Sequence, residues 1–147
     1  MVLSNFEKHL GTNPMTPTVT QRVKFQASPA ILFEMYMDSK KHSVSTGAPA
    51  KLSRKAGETW QAHGGAIGGK NLYIIPGKQI VQTWRAGFWK KDELSILIMT
   101  FEKAPGGAVV EIVHVGVPQH DQKGVRNGWP KYYWKPWKKY LAGQKKK

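Results

Sequence analysis

The residues able to do acid–base chemistry in this chain are few. The candidates among them are Glu34, Asp38, Glu58, Glu102, Glu111 and the histidines His9, His42, His63, His114 and His120. General acid–base catalysis needs two such groups held in mutual geometry. No short spacing here supplies one: the chain has no G-x-S-x-G, no phosphate-binding loop and no HExxH. Gly64-Gly65-Ala66-Ile67-Gly68-Gly69 is glycine-rich, but no Lys-Ser/Thr pair and helix follow it. Turn or bulge glycines are the expected reading. His63, His114 and His120 match no metal-ligand spacing, so no metal site and no cofactor are expected. Cysteine is absent, which excludes thiolate nucleophiles, thiolate metal sites and disulfides. The chain reads as a binder more than as an enzyme.

Binding chemistry has more candidates. Trp84 and Arg85 sit on opposite faces of one expected strand. Arg85 pointing inward would suit an anionic ligand head, and pointing outward it would be an ordinary sheet-surface residue. The outward placement is favoured, because an unpaired buried charge is rare. Trp129, Tyr132, Tyr133, Trp137 and Tyr140 fall at three- and four-residue steps, as on one helical face. They either line a cavity or fill a core, and the spacing does not choose between the two.

The charge is uneven. The net charge is +14, from 23 basic and 9 acidic residues. Residues 122–147 hold Lys123, Arg126, Lys131, Lys135, Lys138, Lys139, Lys145, Lys146 and Lys147 and no acid. Such a field attracts nucleic acid, anionic lipid or an acidic protein face. Nucleic acid is the weaker expectation, because the aromatics interleaved with these lysines occupy the face a helix must bury. Exposed lysines alone give only weak, salt-sensitive phosphate binding. No window nears the roughly 20 apolar residues of a membrane span, and no signal peptide is legible, so a cytoplasmic protein is expected.

The elements that position these residues follow from periodicity. Residues 1–16, with Asn13-Pro14 and Thr16-Pro17, read as a flexible arm before a domain over 17–142, with a Lys-rich tail at 143–147. From Thr18, Val19, Gln21, Val23 and Phe25 alternate with polar residues, which predicts a half-buried strand. Ser28-Pro29 caps and opens a helix over 30–37. A second short helix runs to Gly47. Strands are expected over 58–63, 71–75, 79–86, 93–102 and 109–117. The last two are apolar on both faces, so they are covered twice or line a cavity on one side. A C-terminal helix over 120–141 is expected to break near Asn127-Gly128 or to kink, given Pro130 and Pro136. One long helix must then cover about six strands. The economical packing is α+β, a curved antiparallel sheet gripping the C-terminal helix, with a cavity between them. From alternation, Trp60, Tyr73, Ile96, Ile98, Val113, Trp129, Tyr133 and Trp137 are the expected lining.

Several segments carry a resemblance. Phe25-Gln26-Ala27-Ser28-Pro29 with Phe33-Glu34-Met35 resembles the start of the first helix in the SRPBCC superfamily, the START-like helix-grip fold. Thr46-Gly47-Ala48-Pro49-Ala50, Gly65 to Leu72, Ile80 to Arg85 with Trp89, His114 to Pro118, and Gly128-Trp129 through Tyr140-Leu141 resemble one branch of it. That branch is named for the C-terminal domain of the activator of the heat-shock-protein-90 ATPase. The resemblance spans about residues 18–142 and implies the helix-grip fold with its cavity. Eukaryotic members carry a separate N-terminal domain with much of the activating role, and residues 1–16 hold no counterpart. The leading expectation is a small hydrophobic or amphipathic ligand in the cavity. The alternatives are docking on a heat-shock-protein-90-type chaperone through the basic surface, and a small hydrolase or cyclase using the same cavity.

Overall fold

The computed structural model describes residues 18–145. The expected arm at 1–16 and the last two lysines lie outside the described residues. The strands are β1 (Val19–Phe25), β2 (Thr59–Ala62), β3 (Ile67–Ile75), β4 (Gln79–Ala86), β5 (Ser95–Ala104) and β6 (Gly107–Val115). They form one antiparallel sheet in the order β1-β6-β5-β4-β3-β2. Helices α1 (Pro29–Met37) and α2 (Ser39–Thr46) follow β1, and the chain ends in α3 (Gln122–Trp129) and α4 (Lys135–Lys145). The architecture is the α+β arrangement expected from the pattern.

Local signals explain the early helices. The Ser28 side chain accepts a hydrogen bond from the Ile31 N–H at 3.2 Å, and Pro29 occupies the first helical position. Asp38 Oδ1 accepts from the Lys41 N–H at 2.9 Å and starts α2, which stops at Gly47 in the left-handed region (φ 78°). Ser28→Ala should lower the unfolding free energy by about 1 kcal/mol, read from the urea midpoint.

The inward face of the sheet is written across it in register. Val19 lies opposite His114, His114 opposite Leu97, Leu97 opposite Gln82, and Gln82 opposite Asn71. All five are fully buried. The polar ones are satisfied. Tyr36 on α1 donates to Gln82 Oε1 at 3.0 Å, and Gln82 Nε2 donates to Asn71 Oδ1 at 3.0 Å. Asn71 Nδ2 then donates to the carbonyls of Ser53 and Lys55, fastening the loop before β2. Such a connected chain avoids the penalty of an unpaired buried amide.

Three sequence expectations are corrected. Gly68 and Gly69 lie within β3, not at a turn. A Cβ on Gly69 would sit 2.0 Å from the Thr83 carbonyl oxygen, so the close approach of β4 requires glycine there. Of the two outcomes expected for the C-terminal helix, a break near Asn127-Gly128 or a kink, the break does not occur. The helix passes through one π-helical segment, Pro130–Trp134, between α3 and α4. Proline removes a backbone donor, and a π-helical segment absorbs the irregularity without ending the helix. The inward face assigned to β5 and β6 is also reversed, with consequences for the site.

Candidate functional site

Ser95, Leu97, Met99 and Phe101 of β5 point inward, as do Ala108, Val110, Ile112 and His114 of β6. Ile96, Ile98 and Val113, expected as cavity lining, therefore lie on the opposite, partly exposed face. Tyr73 joins them and is 55% exposed. Thr20, Val113, Ile98, Val81 and Tyr73 form one cross-strand row on that outer face. Their β-branched and aromatic side chains support the sheet by neighbour contacts instead of facing the helix. Both faces of β5 and β6 are apolar, so alternation carried no sign for them.

Trp60, Trp129, Tyr133 and Trp137 are inward and buried. Trp137 meets Phe25 at 5.6 Å, Trp134 at 5.6 Å and Tyr133 at 6.2 Å between ring centroids. Trp129 stacks on Trp134 at 5.4 Å. These rings fill the space between the sheet and the middle of the helix. The Trp60 indole N–H donates to the Thr83 carbonyl at 3.2 Å, away from that cluster.

Mainly apolar open space survives at the α3 end of the helix. A cavity of about 420 Å³ is bounded by α3, by the ends of β3 and β4, and by the 87–94 loop. Of the expected lining residues, Trp129 and Tyr133 border it. The remaining walls are Trp84, Phe88, Tyr132, Ile67, Val125, Ala66, Ala86, His63, Asp121, Gly124 and Gly128. Sequence reasoning missed Asp121, Phe88 and Gly124. The available signal was the pair Gly124 and Gly128, four residues apart on one helical face. A helix face lacking side chains leaves room against whatever it packs on.

Arg85 faces outward and latches the loop at the cavity rim. Its guanidinium donates to the carbonyls of Trp89 (2.8 Å), Lys90 (2.8 Å) and Glu93 (3.4 Å). Glu93 also meets His120 Nε2 at 2.9 Å, and the Trp89 indole N–H donates to Asp121 Oδ2 at 2.8 Å. These bonds tie the loop to the start of α3.

The buried histidines are neutral and fully engaged. The Trp129 indole N–H donates to His114 Nδ1 at 3.2 Å. His114 Nε2–H therefore donates to Ser95 Oγ at 2.8 Å, and the Ser95 hydroxyl donates to the Trp84 carbonyl at 2.6 Å. Burial lowers the His114 pKa to about 3. His42 Nδ1–H donates to the Tyr36 carbonyl at 2.7 Å, which leaves Nε2 to accept from the Tyr133 hydroxyl at 3.0 Å. Burial lowers the His42 pKa to about 4, and raises the phenols of Tyr36 and Tyr133 far above their usual value. These groups hold elements together and expose no free nitrogen to a substrate. His63, beside Tyr132 and Tyr133, is half-buried, and burial lowers its pKa too. His63, His114 and His120 sit in three separate environments. Among the described residues, no group of three His, Cys, Asp or Glu converges as a metal site would require.

A curved six-stranded antiparallel sheet closed over a C-terminal helix, with two short helices after the first strand, defines a helix-grip protein. Within that class, residues 26–142 match the family model described as activator of Hsp90 ATPase homolog 1-like protein, and the chain belongs to that family. A Dictyostelium discoideum protein named activator of 90 kDa heat shock protein ATPase homolog is 31% identical over 118 residues. The match covers 79% of this chain and 30% of that protein. A human protein named activator of 90 kDa heat shock protein ATPase homolog 1 is 26% identical over 124 residues, covering 84% of this chain and 37% of its own length. The chain thus spans about a third of the length of these curated relatives. Among solved structures, an HSP90 activator from Plasmodium falciparum superposes with a TM-score of 0.75 at 20% identity, covering 87% of this chain and 96% of that one. Among the described residues, no helix is long and apolar enough to cross a membrane.

Proposed function

We propose that this chain is a non-catalytic binding domain that docks on an Hsp90-type ATPase through the basic face of its C-terminal helix. The observation that carries this reading is a row of lysines within a chain whose relatives are named activators of that ATPase. Lys131, Lys135 and Lys139 recur every four residues, are exposed, and border a groove beside the end of α2. No ion pair among the described residues engages them. Like charges at this spacing weaken a helix by about 0.2–0.5 kcal/mol per pair. An acidic partner face would relieve that repulsion and speed association. A cytoplasmic setting is part of the proposal. With a purified Hsp90-type ATPase, binding is expected at low salt and should weaken steeply as salt rises. The triple variant K131E/K135E/K139E should lose roughly tenfold or more in affinity. No complex at low salt, or equal binding by the triple variant, would sink the reading.

A second reading is favoured by the cavity beside α3. Its volume falls within the roughly 300–1,000 Å³ of small-molecule sites, and its walls are mainly apolar with a few polar groups. A small hydrophobic or amphipathic ligand would fit there. This reading does not exclude the first, since the lysine row and the cavity share no residue.

A further inference from the structure

We infer that the cavity beside α3 recognises an organic cation, an alkylated ammonium group carried on a small apolar body. This inference rests on the small-ligand reading of that cavity and adds the chemistry of its occupant.

Among the described residues, the rings of Trp84, Phe88, Trp129, Tyr132 and Tyr133 border the space. The faces of aromatic rings carry negative charge density and attract cations, most strongly where water is excluded. Phe88 is 71% exposed and Tyr132 is 49% exposed, so two of the rings stand at the mouth. Solvated apolar rings at a rim are costly to leave uncovered, and an occupant would cover them.

Among the described residues, the single carboxylate on the wall is Asp121. Its Oδ2 accepts from the Trp89 indole N–H at 2.8 Å, which fixes its orientation. No ion pair among the described residues engages it, although basic residues outnumber acidic ones 23 to 9. Gly124 makes room for it, because a Cβ there would lie 2.2 Å from Asp121 Oδ1. One turn on, Gly128 leaves the helix wall open, and a Cβ there would meet the Tyr132 ring at 3.6 Å.

One basic side chain comes near the wall: Lys131 Nζ lies over the Tyr132 ring, 5.1 Å from its centre. Among the described residues, no Lys or Arg lines the cavity itself. His63 does line it, but burial lowers its pKa, so it is neutral at pH 7 and adds no opposing charge. An anionic head would meet Asp121 with no Lys or Arg among the described wall residues to compensate it. A purely apolar occupant would strip water from the carboxylate without replacing its partners. A cation answers both the rings and the carboxylate.

The test uses the full chain and two probes of nearly the same shape. Phenyltrimethylammonium carries the charge, and tert-butylbenzene replaces the nitrogen by carbon. Affinities are measured by titration followed in proton NMR. The cation should bind roughly tenfold tighter than its neutral partner. Asp121→Asn keeps an acceptor for Trp89 and should erase most of that preference while sparing the neutral probe. Tyr132→Leu, at a half-exposed position, should likewise weaken the cation more than the neutral probe, which provides a second variant should Asp121→Asn fail to fold. Equal binding of the two probes would overturn the cation assignment and leave the small-ligand reading standing. Binding of neither would overturn both.

Discussion

Replacing Trp137 by alanine should lower the unfolding free energy by about 3–5 kcal/mol, a large share of the roughly 5–15 kcal/mol of an ordinary domain. Trp137 is fully buried, and its ring contacts Phe25 from β1 together with Tyr133 and Trp134 from the helix. Alanine would leave a cavity with aromatic walls that belong to separate elements and cannot collapse independently. The indole N–H of Trp137 has no hydrogen-bond partner among the described residues, so part of what tryptophan contributes is offset by an unpaired donor. Trp137→Phe should therefore cost well under half as much as Trp137→Ala, because it keeps most of the packing and removes the orphan donor. Urea unfolding monitored by circular dichroism decides this. Equal losses for the two variants, or a loss below about 1 kcal/mol for alanine, would mean the ring is not the centre of the core.

Stability should fall by as much as about 4 kcal/mol between pH 7 and pH 5, because two histidines are folded in the neutral state. The pKa of His114 is lowered to about 3 and that of His42 to about 4, both by burial. In the unfolded chain each returns to about 6.5. The contribution is fully present above the unfolded value. It is lost progressively as the pH falls from there to the folded values, because only the unfolded chain takes up protons in that window. Each histidine accounts for about 2 kcal/mol at pH 5, taking about 1.4 kcal/mol per unit. Protonation of His114 would oppose the Trp129 indole N–H, and protonation of His42 would oppose the Tyr133 hydroxyl, so acid should loosen the helix from the sheet first. Urea midpoints at pH 7, 6 and 5 measure the loss. A flat profile across that range would show that both imidazoles titrate normally in the folded protein.

Much of the architecture was legible in residue order because local physics dictates it. Ser28-Pro29, Asp38 and Gly47 place the early helices through their own hydrogen bonds and dihedral preferences. The alternation of Val19, Gln21, Val23 and Phe25 orients β1 because only one of its faces is apolar. One long helix against about six strands leaves few packings, and the helix-grip arrangement is among them.

The site was less legible. In β5 and β6 both faces are apolar, so hydrophobicity cannot say which of Ile96 or Leu97, and which of Val113 or His114, points inward. Pairing decides it: Val19 lies opposite His114, and the amphipathic β1 imposes its own inward face on its neighbours. Trp129, Tyr133 and Trp137 share a helical face, but whether such rings line a space or fill it depends on how the helix seats on the sheet. Here the middle is filled and the α3 end is open. That opening gathers Trp84 from β4, Phe88 from a loop held by Arg85, Asp121 from before α3, and the bare face of Gly124 and Gly128. Local sequence determined the elements, their order and the concentration of positive charge at the C-terminal end, because these depend on neighbouring residues and on composition. Only the tertiary structure decided the inward faces, the place of the cavity and the carboxylate on its wall, because these depend on strand register and helix seating between residues far apart in the chain.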